Sequence, residues 1–248
     1  MPELKIGGIL DSSTIDYRGR VCSVIYLCGC SFRCGWCQNR DLILENNCKT
    51  IGIDAIVEKL RENFIIDSVC ITGGEPLMQG NTVELLKRIK RDTNLLTKID
   101  TNLCFPDVLK RALPYLDFIS VDIKAELTEK YKKLAGISEN IEEILGMLEK
   151  SLVVLEKWDG EKEARTTVIP GLIDKGDIEE IVKIVKRTGF DYYTLQQFRP
   201  VNTLNPEFEK IQIPKREEML KLGKIAKRIL PKTRVQIVTQ KNGFEEIT

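Results

Sequence analysis

The run Cys30-Ser31-Phe32-Arg33-Cys34-Gly35-Trp36-Cys37 carries three thiols spaced four and three residues apart, with no fourth in step. Such spacing brings thiolates together on one short loop, the donor set that iron–sulfur clusters take. A cubane cluster has more irons than this loop has thiols, so one iron stays open to a ligand that is not protein. A structural zinc site would instead require a closed set of ligands. The remaining cysteines, Cys22, Cys28, Cys48, Cys70 and Cys104, form no C-x-x-C pair, and the chain has no histidine. A zinc site completed by Cys48 therefore stands as the alternative to the open cluster.

Around this loop the chain reads as an ordinary globular protein. Its 248 residues suit one sizeable core, and 42% apolar with 30% charged residues exclude a disordered or fibrous chain. A net charge of +1, with acid and base intermixed, gives no reason to expect a nucleic-acid partner. The basic stretch 215–234 is interrupted by apolar residues at helical spacing, as on the solvated face of a surface helix. Residues 1–10 carry Glu3, Lys5 and two glycines where a signal peptide would be apolar, and no run approaches a membrane span. These features predict a cytoplasmic, oxygen-sensitive protein whose eight cysteines are reduced thiols or metal ligands, not a disulfide framework.

β-rich runs at 21–27, 67–72, 95–100, 118–123, 164–169, 192–198 and 234–239 alternate with amphipathic helical stretches at 54–63, 83–91, 107–113, 140–154, 177–187 and 217–230. Strict alternation predicts parallel strands with right-handed crossovers and helices outside. Six such βα units and a late extra strand give a partial (β/α)6 TIM-like barrel, open along one side, within a single domain spanning 1–248. The chemically suggestive residues fall at successive strand ends, where α/β folds gather their ligands. Cys30–Cys37 follow the first strand, Gly73-Gly74-Glu75-Pro76 the second, Asp100 closes the third, and Asp122-Ile123-Lys124 the fourth.

Each of these segments also has a structural reading. Two glycines before a proline are common turn punctuation, an Asp at a strand end often caps the next helix, and a loop Lys is usually solvated. Taken together at neighbouring strand tips, they supply a close backbone approach, carboxylates for an ammonium, ribose hydroxyl or cation, and an ammonium for a carboxylate.

The Cys-x3-Cys-x2-Cys spacing, with Trp36 before the last cysteine and Gly-Gly-Glu-Pro following, resembles the radical S-adenosylmethionine (SAM) superfamily. Within it, Cys37-Gln38-Asn39-Arg40-Asp41, Asp100-Thr101-Asn102, Asp122-Ile123-Lys124, Leu134-Ala135-Gly136-Ile137-Ser138 and Thr167-Val168-Ile169-Pro170-Gly171 resemble, in order, the glycyl-radical-enzyme activating enzymes. These include the activases of pyruvate formate-lyase and of anaerobic ribonucleotide reductase. The opening Ile6-Gly7-Gly8 and Thr14-Ile15-Asp16-Tyr17 resemble a reductase-activase subgroup. The resemblance covers roughly residues 6–200.

It implies the radical SAM type of barrel and a [4Fe–4S] cluster on Cys30, Cys34 and Cys37. It places Gly73, Gly74 and Glu75 along the methionine part of SAM, with Glu75 near its amino group. Asp100 would meet the ribose or a bound monovalent cation, Asp122 the same cation, and Lys124 the methionine carboxylate. Trp36 would lie beside the cluster and adenine, a place that is compatible with its also being a core aromatic. The implied partners are a glycyl radical enzyme as protein substrate and a one-electron donor such as flavodoxin or ferredoxin.

Two positions depart from the pattern. Gln38 stands where relatives often have His, and Leu195-Gln196-Gln197-Phe198 lacks a ribose-contacting His, leaving that contact to Gln196, to Gln197 or to neither. Cys28 reads as a buried strand-end thiol. Two alternatives share many of these features: a radical SAM enzyme for a small molecule, such as a deazapurine-forming synthase, and a non-enzymatic zinc or iron–sulfur module.

Overall fold

A computed structural model describes residues 2–138 and 140–248. In chain order the elements are β1 (Glu3–Ser13), β2 (Cys22–Leu27), α1 (Arg40–Ile43), β3 (Lys49–Gly52), α2 (Ile53–Glu62), β4 (Ser68–Gly73), α3 (Thr82–Asp92), β5 (Leu96–Thr101) and α4 (Pro106–Ala112). There follow β6 (Phe118–Asp122), α5 (Glu129–Ala135), α6 (Ile141–Glu156), β7 (Glu161–Val168), α7 (Lys175–Thr188), β8 (Tyr192–Gln197), α8 (Arg216–Ile229), β9 (Arg234–Thr239) and β10 (Gly243–Glu246). The chain divides into two compact units. One comprises Met1–Ser31, Asn39–Ser120 and Trp158–Gly160; the other comprises Phe32–Gln38, Val121–Lys157 and Glu161–Thr248. The cysteine loop thus begins in the first unit and runs through the second.

In the first unit the strand order is β3-β1-β2-β4-β5. β2, β4 and β5 run parallel, with Cys22 opposite Ser68 and Val69 opposite Thr97. Val24, Ile25, Val69, Ile71 and Ile99 are fully buried, because parallel strands covered on both faces read as continuous apolar runs. α2 and α3 supply the cover through Ile56, Leu60, Leu85, Leu86 and Ile89. Gly52 occupies the N-cap of α2, and the helix starts at Ile53, one position before the expected stretch 54–63. Asp54 lies inside the first turn and pairs with Arg88 at 2.6 Å.

Strict alternation fails at the edges. β1 is an eleven-residue strand antiparallel to both β2 and β3, in a segment for which no strand was expected. Its polar and glycine-rich outer positions hide the period that a buried strand would show.

In the second unit β7, β8 and β9 are parallel and β10 adds an antiparallel edge. α7 is the best-signalled helix of the chain. Asp174 accepts the Gly176 and Asp177 amides at 2.7 and 3.3 Å, and Asp177 accepts the Asp174 amide at 2.8 Å, a reciprocal capping box. Gly189 ends the helix at φ 71°, in the left-handed region that glycine adopts without steric penalty. Among the described residues no helix is long and apolar enough to cross a membrane.

A second correction concerns the thiols. Cys28 and Cys48 form a disulfide across 6.4 Å between Cα atoms, so the expectation of eight reduced or metal-bound cysteines does not hold. Cys48 has no thiolate to offer a zinc ion in this state, which removes the proposed fourth ligand of the zinc alternative. Twenty residues separate the two sulfurs in sequence, too far for spacing to announce the pair.

Candidate active site

In the first unit the strand tips interlock through backbone. Gly74 and Glu75 donate their amides to the carbonyls of Leu27 and Gly29, both at 2.8 Å. Gly73 sits at φ 119°, and a Cβ there would lie 2.3 Å from the Leu27 carbonyl oxygen. A Cβ on Gly74 would lie 1.9 Å from the Gly29 oxygen. The two glycines are therefore required by the approach of their own chain to the segment that leads into Cys30.

Glu75 is 1% exposed, and its carboxylate accepts three protein donors. These are the Leu77 amide at 3.0 Å, the Thr101 hydroxyl at 2.8 Å and the Asn102 amide at 2.7 Å. It ties the end of β4 to the end of β5, a structural role that the sequence reading did not give it. Asn102, held by this tie, donates its side-chain amide to the Cys30 sulfur at 3.8 Å and to the Ser31 hydroxyl at 3.3 Å. Asn39 donates to the Gly73 carbonyl at 3.0 Å, fixing the chain just past the cysteine loop. Asp100 is ion-paired with Lys98, whose side chain is 1% exposed and whose ammonium also lies 3.6 Å from the Cys70 sulfur. Lys98 escaped sequence reading because a lysine within a strand is normally assigned to the solvent face.

In the second unit the loop Phe32–Gln38 carries Cys34, Trp36 and Cys37. The end of α5 grips it: the Arg33 amide donates to the Ala135 carbonyl at 2.8 Å, and the Cys34 sulfur lies 3.8 Å from that oxygen. Gly136, at φ 61°, passes so close that a Cβ would stand 2.2 Å from the Arg33 carbonyl. Residues Leu134–Gly136, singled out by sequence as a motif, thus act as a backbone clamp on the loop. Burial pushes the Cys34 thiol up to about 11, with Lys124 opposing and Cys37 adding to the rise. Lys124 lies 3.4 Å from Asp122 and 5.9 Å from the centre of the Phe32 ring. Trp36 packs on Phe208, with ring centroids 6.0 Å apart.

None of Cys30, Cys34 and Cys37 is in a disulfide. Three thiols without a bridge, with an amide donor aimed at one sulfur, fit a cluster held by thiolates. Among the described residues no three His, Cys, Asp or Glu side chains gather around one ion position. Cubane ligands are spread over separate irons.

The family model of the radical SAM superfamily matches residues 24–174. A Methanocaldococcus jannaschii protein provisionally named as a glycyl-radical enzyme activating enzyme is 34% identical over 244 residues, covering 98% of this chain and 98% of its own. Another from the same organism, with the same provisional name, is 26% identical over 227 residues, covering 90% and 83%. The solved structure of a domain of pyruvate-formate lyase-activating enzyme from Bacteroides vulgatus has a TM-score of 0.55 at 17% identity, covering 69% of this chain and 99% of that one, a likeness of fold. With the cysteine motif inside the matched span and a relative aligned along nearly its whole length, the chain belongs to the radical SAM superfamily and, within it, to the glycyl-radical enzyme activating enzymes.

Proposed function

We propose that residues 1–248 act as one radical SAM domain that generates a glycyl radical on a partner enzyme, anaerobic ribonucleotide reductase being the partner that the sequence motifs favour. The observation that carries this reading is the loop after β2, with three thiols outside any disulfide in the chain's family-matched span. Cys30, Cys34 and Cys37 would hold a [4Fe–4S] cluster. When bound, that cluster supplies one electron to the sulfonium of SAM, releasing methionine and a 5′-deoxyadenosyl radical.

The chain's own residues bind and orient. Lys124 offers its ammonium to the methionine carboxylate, exchanging part of its contact with Asp122. The glycine turn at Gly73 and Gly74 holds backbone beside the cysteine segment, and Glu75 fixes that turn. Trp36 gives an aromatic face for adenine. Asp100 and Asp122 remain the candidates for a ribose hydroxyl or a monovalent cation, Asp100 with Lys98 already on its carboxylate. The hydrogen transfer that this chemistry would support breaks the Cα–H bond of the partner's glycine and forms a C–H bond on 5′-deoxyadenosine, which would leave the radical on glycine. No general base is needed, which suits a chain without histidine. A flavodoxin- or ferredoxin-type donor supplies the electron.

The test is anaerobic incubation of reconstituted, reduced protein with SAM and the reductase large subunit. Expected are 5′-deoxyadenosine and a glycyl-radical EPR doublet that is lost when the partner's glycine is replaced. Deoxyadenosine formed with a small purine precursor and not with the reductase would overturn the assignment.

A further inference from the structure

In the second unit the cysteine loop is also fastened by the segment that follows β8. The Leu204 amide donates to the Cys37 carbonyl and the Asn205 amide to the Gly35 carbonyl, both at 2.9 Å. Gln38 donates its side-chain amide to the carbonyls of Arg199 and Val201 at 3.2 and 3.3 Å, and Asn202 donates to the Gln38 carbonyl at 3.3 Å. The segment is itself braced: Thr203 is fully buried, its hydroxyl donates to the Asn205 carbonyl at 2.8 Å, and its amide donates to Glu209 at 3.0 Å.

Phe208, in the 3-10 turn Pro206–Lys210, completes the attachment. Its ring lies 6.0 Å from the Trp36 ring and 6.5 Å from the Phe198 ring, within the range of aromatic contact. The ring edge also occupies the space above Gly35. A Cβ there would lie 2.3 Å from Phe208 Cε2 and 2.9 Å from two further ring atoms. The half-buried ring has an aromatic neighbour on either side, so moving it off Gly35 would disturb its contacts with Trp36 and Phe198.

We propose that residues 199–208 form a positioning strap, and that the Phe208 ring seated on Gly35 sets the conformation of the cysteine loop and with it the SAM affinity and spectroscopic state of its cluster. This rests on the cluster assignment made above. Cluster properties follow the hydrogen bonding and solvent exposure around the thiolates. The strap controls both, because it engages the carbonyls on either side of Trp36 and covers the loop with a ring. Phe208 is a positioning residue: it acts through Gly35 and Trp36, not on the reacting atoms.

The test compares anaerobically reconstituted wild-type protein with Phe208→Ala, Phe208→Tyr, Gly35→Ala and the double variant Gly35→Ala/Phe208→Ala. Readouts are iron content, the EPR spectrum and midpoint potential of the reduced cluster, and the dissociation constant of SAM. Phe208→Ala and Gly35→Ala should each weaken SAM binding by about tenfold and alter the EPR spectrum. The double variant should be no worse than either single one, since both unseat the same contact. Phe208→Tyr, which keeps the ring, should behave as wild type. Gln38→Ala removes only an exposed amide and should shift the same readouts in the same sense by about threefold, which covers the case of a Phe208 or Gly35 variant that does not fold. Wild-type EPR and SAM affinity in Phe208→Ala, or strictly additive losses in the double variant, would overturn the strap. A wild-type protein that takes up no iron would remove the cluster assignment itself, a different result from an iron-loaded protein indifferent to Phe208.

Discussion

Glu75 accepts the backbone amide of Asn102 at 2.7 Å, and Asn102 in turn donates to the sulfur of Cys30. One buried carboxylate at the tip of β4 therefore sets where an amide donor at the tip of β5 meets a candidate cluster ligand. Replacing Glu75 by Gln puts an NH2 group against one of the donors that the carboxylate now accepts. Losing a buried hydrogen bond to a charged acceptor costs about 1.5–3 kcal/mol. Urea unfolding of the apo protein should show that loss, and the EPR spectrum of the loaded protein should shift as the Asn102 donor moves.

The cysteines separate into two classes with different readouts. Cys30→Ala, Cys34→Ala and Cys37→Ala should each abolish the brown, iron-loaded form after anaerobic reconstitution. Cys48→Ala should load iron normally, because its sulfur is joined to Cys28. It should instead lose the staple that closes the cysteine loop and α1 into one ring, worth about 3 kcal/mol in the loop-closure model. Iron analysis and thermal unfolding without reductant check the two halves. A cluster dependent on Cys48 would contradict the assignment.

Lys124 is the cation proposed for the methionine carboxylate. Only 10% of its side chain is exposed, against 53% for its partner Asp122, so the ammonium is the better shielded member of the pair. Lys124→Ala should weaken SAM binding by about 1.5–3 kcal/mol while leaving iron content unchanged. Equilibrium binding of SAM to the loaded variant decides it, and unchanged affinity would remove Lys124 from the site.

Strand tips were legible because apolar runs followed by glycine, acid or cysteine mark both an element and its end. The helices with strong apolar stripes, α2, α3, α7 and α8, fall within a few residues of where periodicity puts them. What sequence could not show was mostly reach across the chain. Nothing near Phe208 in sequence points to Gly35, nothing near Cys48 points to Cys28, and nothing in Thr-Lys-Ile-Asp announces that Lys98 turns inward to Asp100. Gly73 and Gly74 were read toward a ligand, yet the nearest demand on them is the backbone of Leu27 and Gly29. Glu75 was likewise read toward an ammonium, while three protein donors hold its carboxylate. In each case a residue type signalled a close contact without saying with what.

Burial of the thiols gives the apo protein an alkaline limit. Cys34 is pushed up from 9.0 to about 11 by desolvation, and Cys22 likewise to about 11 by desolvation with Asp16 adding. Burial also raises the Tyr193 phenol. The folded chain keeps these protons where the unfolded chain releases them. The thiols' contribution to stability is therefore complete below about pH 9 and is lost as pH rises towards 11, while that of Tyr193 begins to fall only above about pH 10. The apo protein should lose about 5 °C or more in Tm over that interval. Iron binding takes Cys34 as thiolate, so the loaded protein should fall less steeply. Calorimetry of both forms at stepped pH checks this, and parallel curves would contradict it.

The two glutamines at the end of β8, the candidates for a ribose contact, differ in their surroundings. Gln197 is committed to the fold: its amide donates to the Pro214 carbonyl at 2.8 Å and its oxygen accepts the Gln240 amide at 2.7 Å. Gln196 pairs in register with Thr167 on β7 and Val238 on β9, and its side chain hydrogen-bonds to nothing among the described residues. The two variants should therefore fail differently. Gln197→Ala leaves two backbone groups without their side-chain partner and should lower Tm, at about 1 kcal/mol per neutral bond lost. Gln196→Ala should leave Tm unchanged and weaken SAM binding several-fold, while 5′-deoxyadenosine in place of SAM, which keeps the ribose and lacks methionine, should report the same ratio. Gln196→Ala with wild-type affinity for both nucleosides would exclude this glutamine from the ribose site, and the contact would then be absent from β8 altogether.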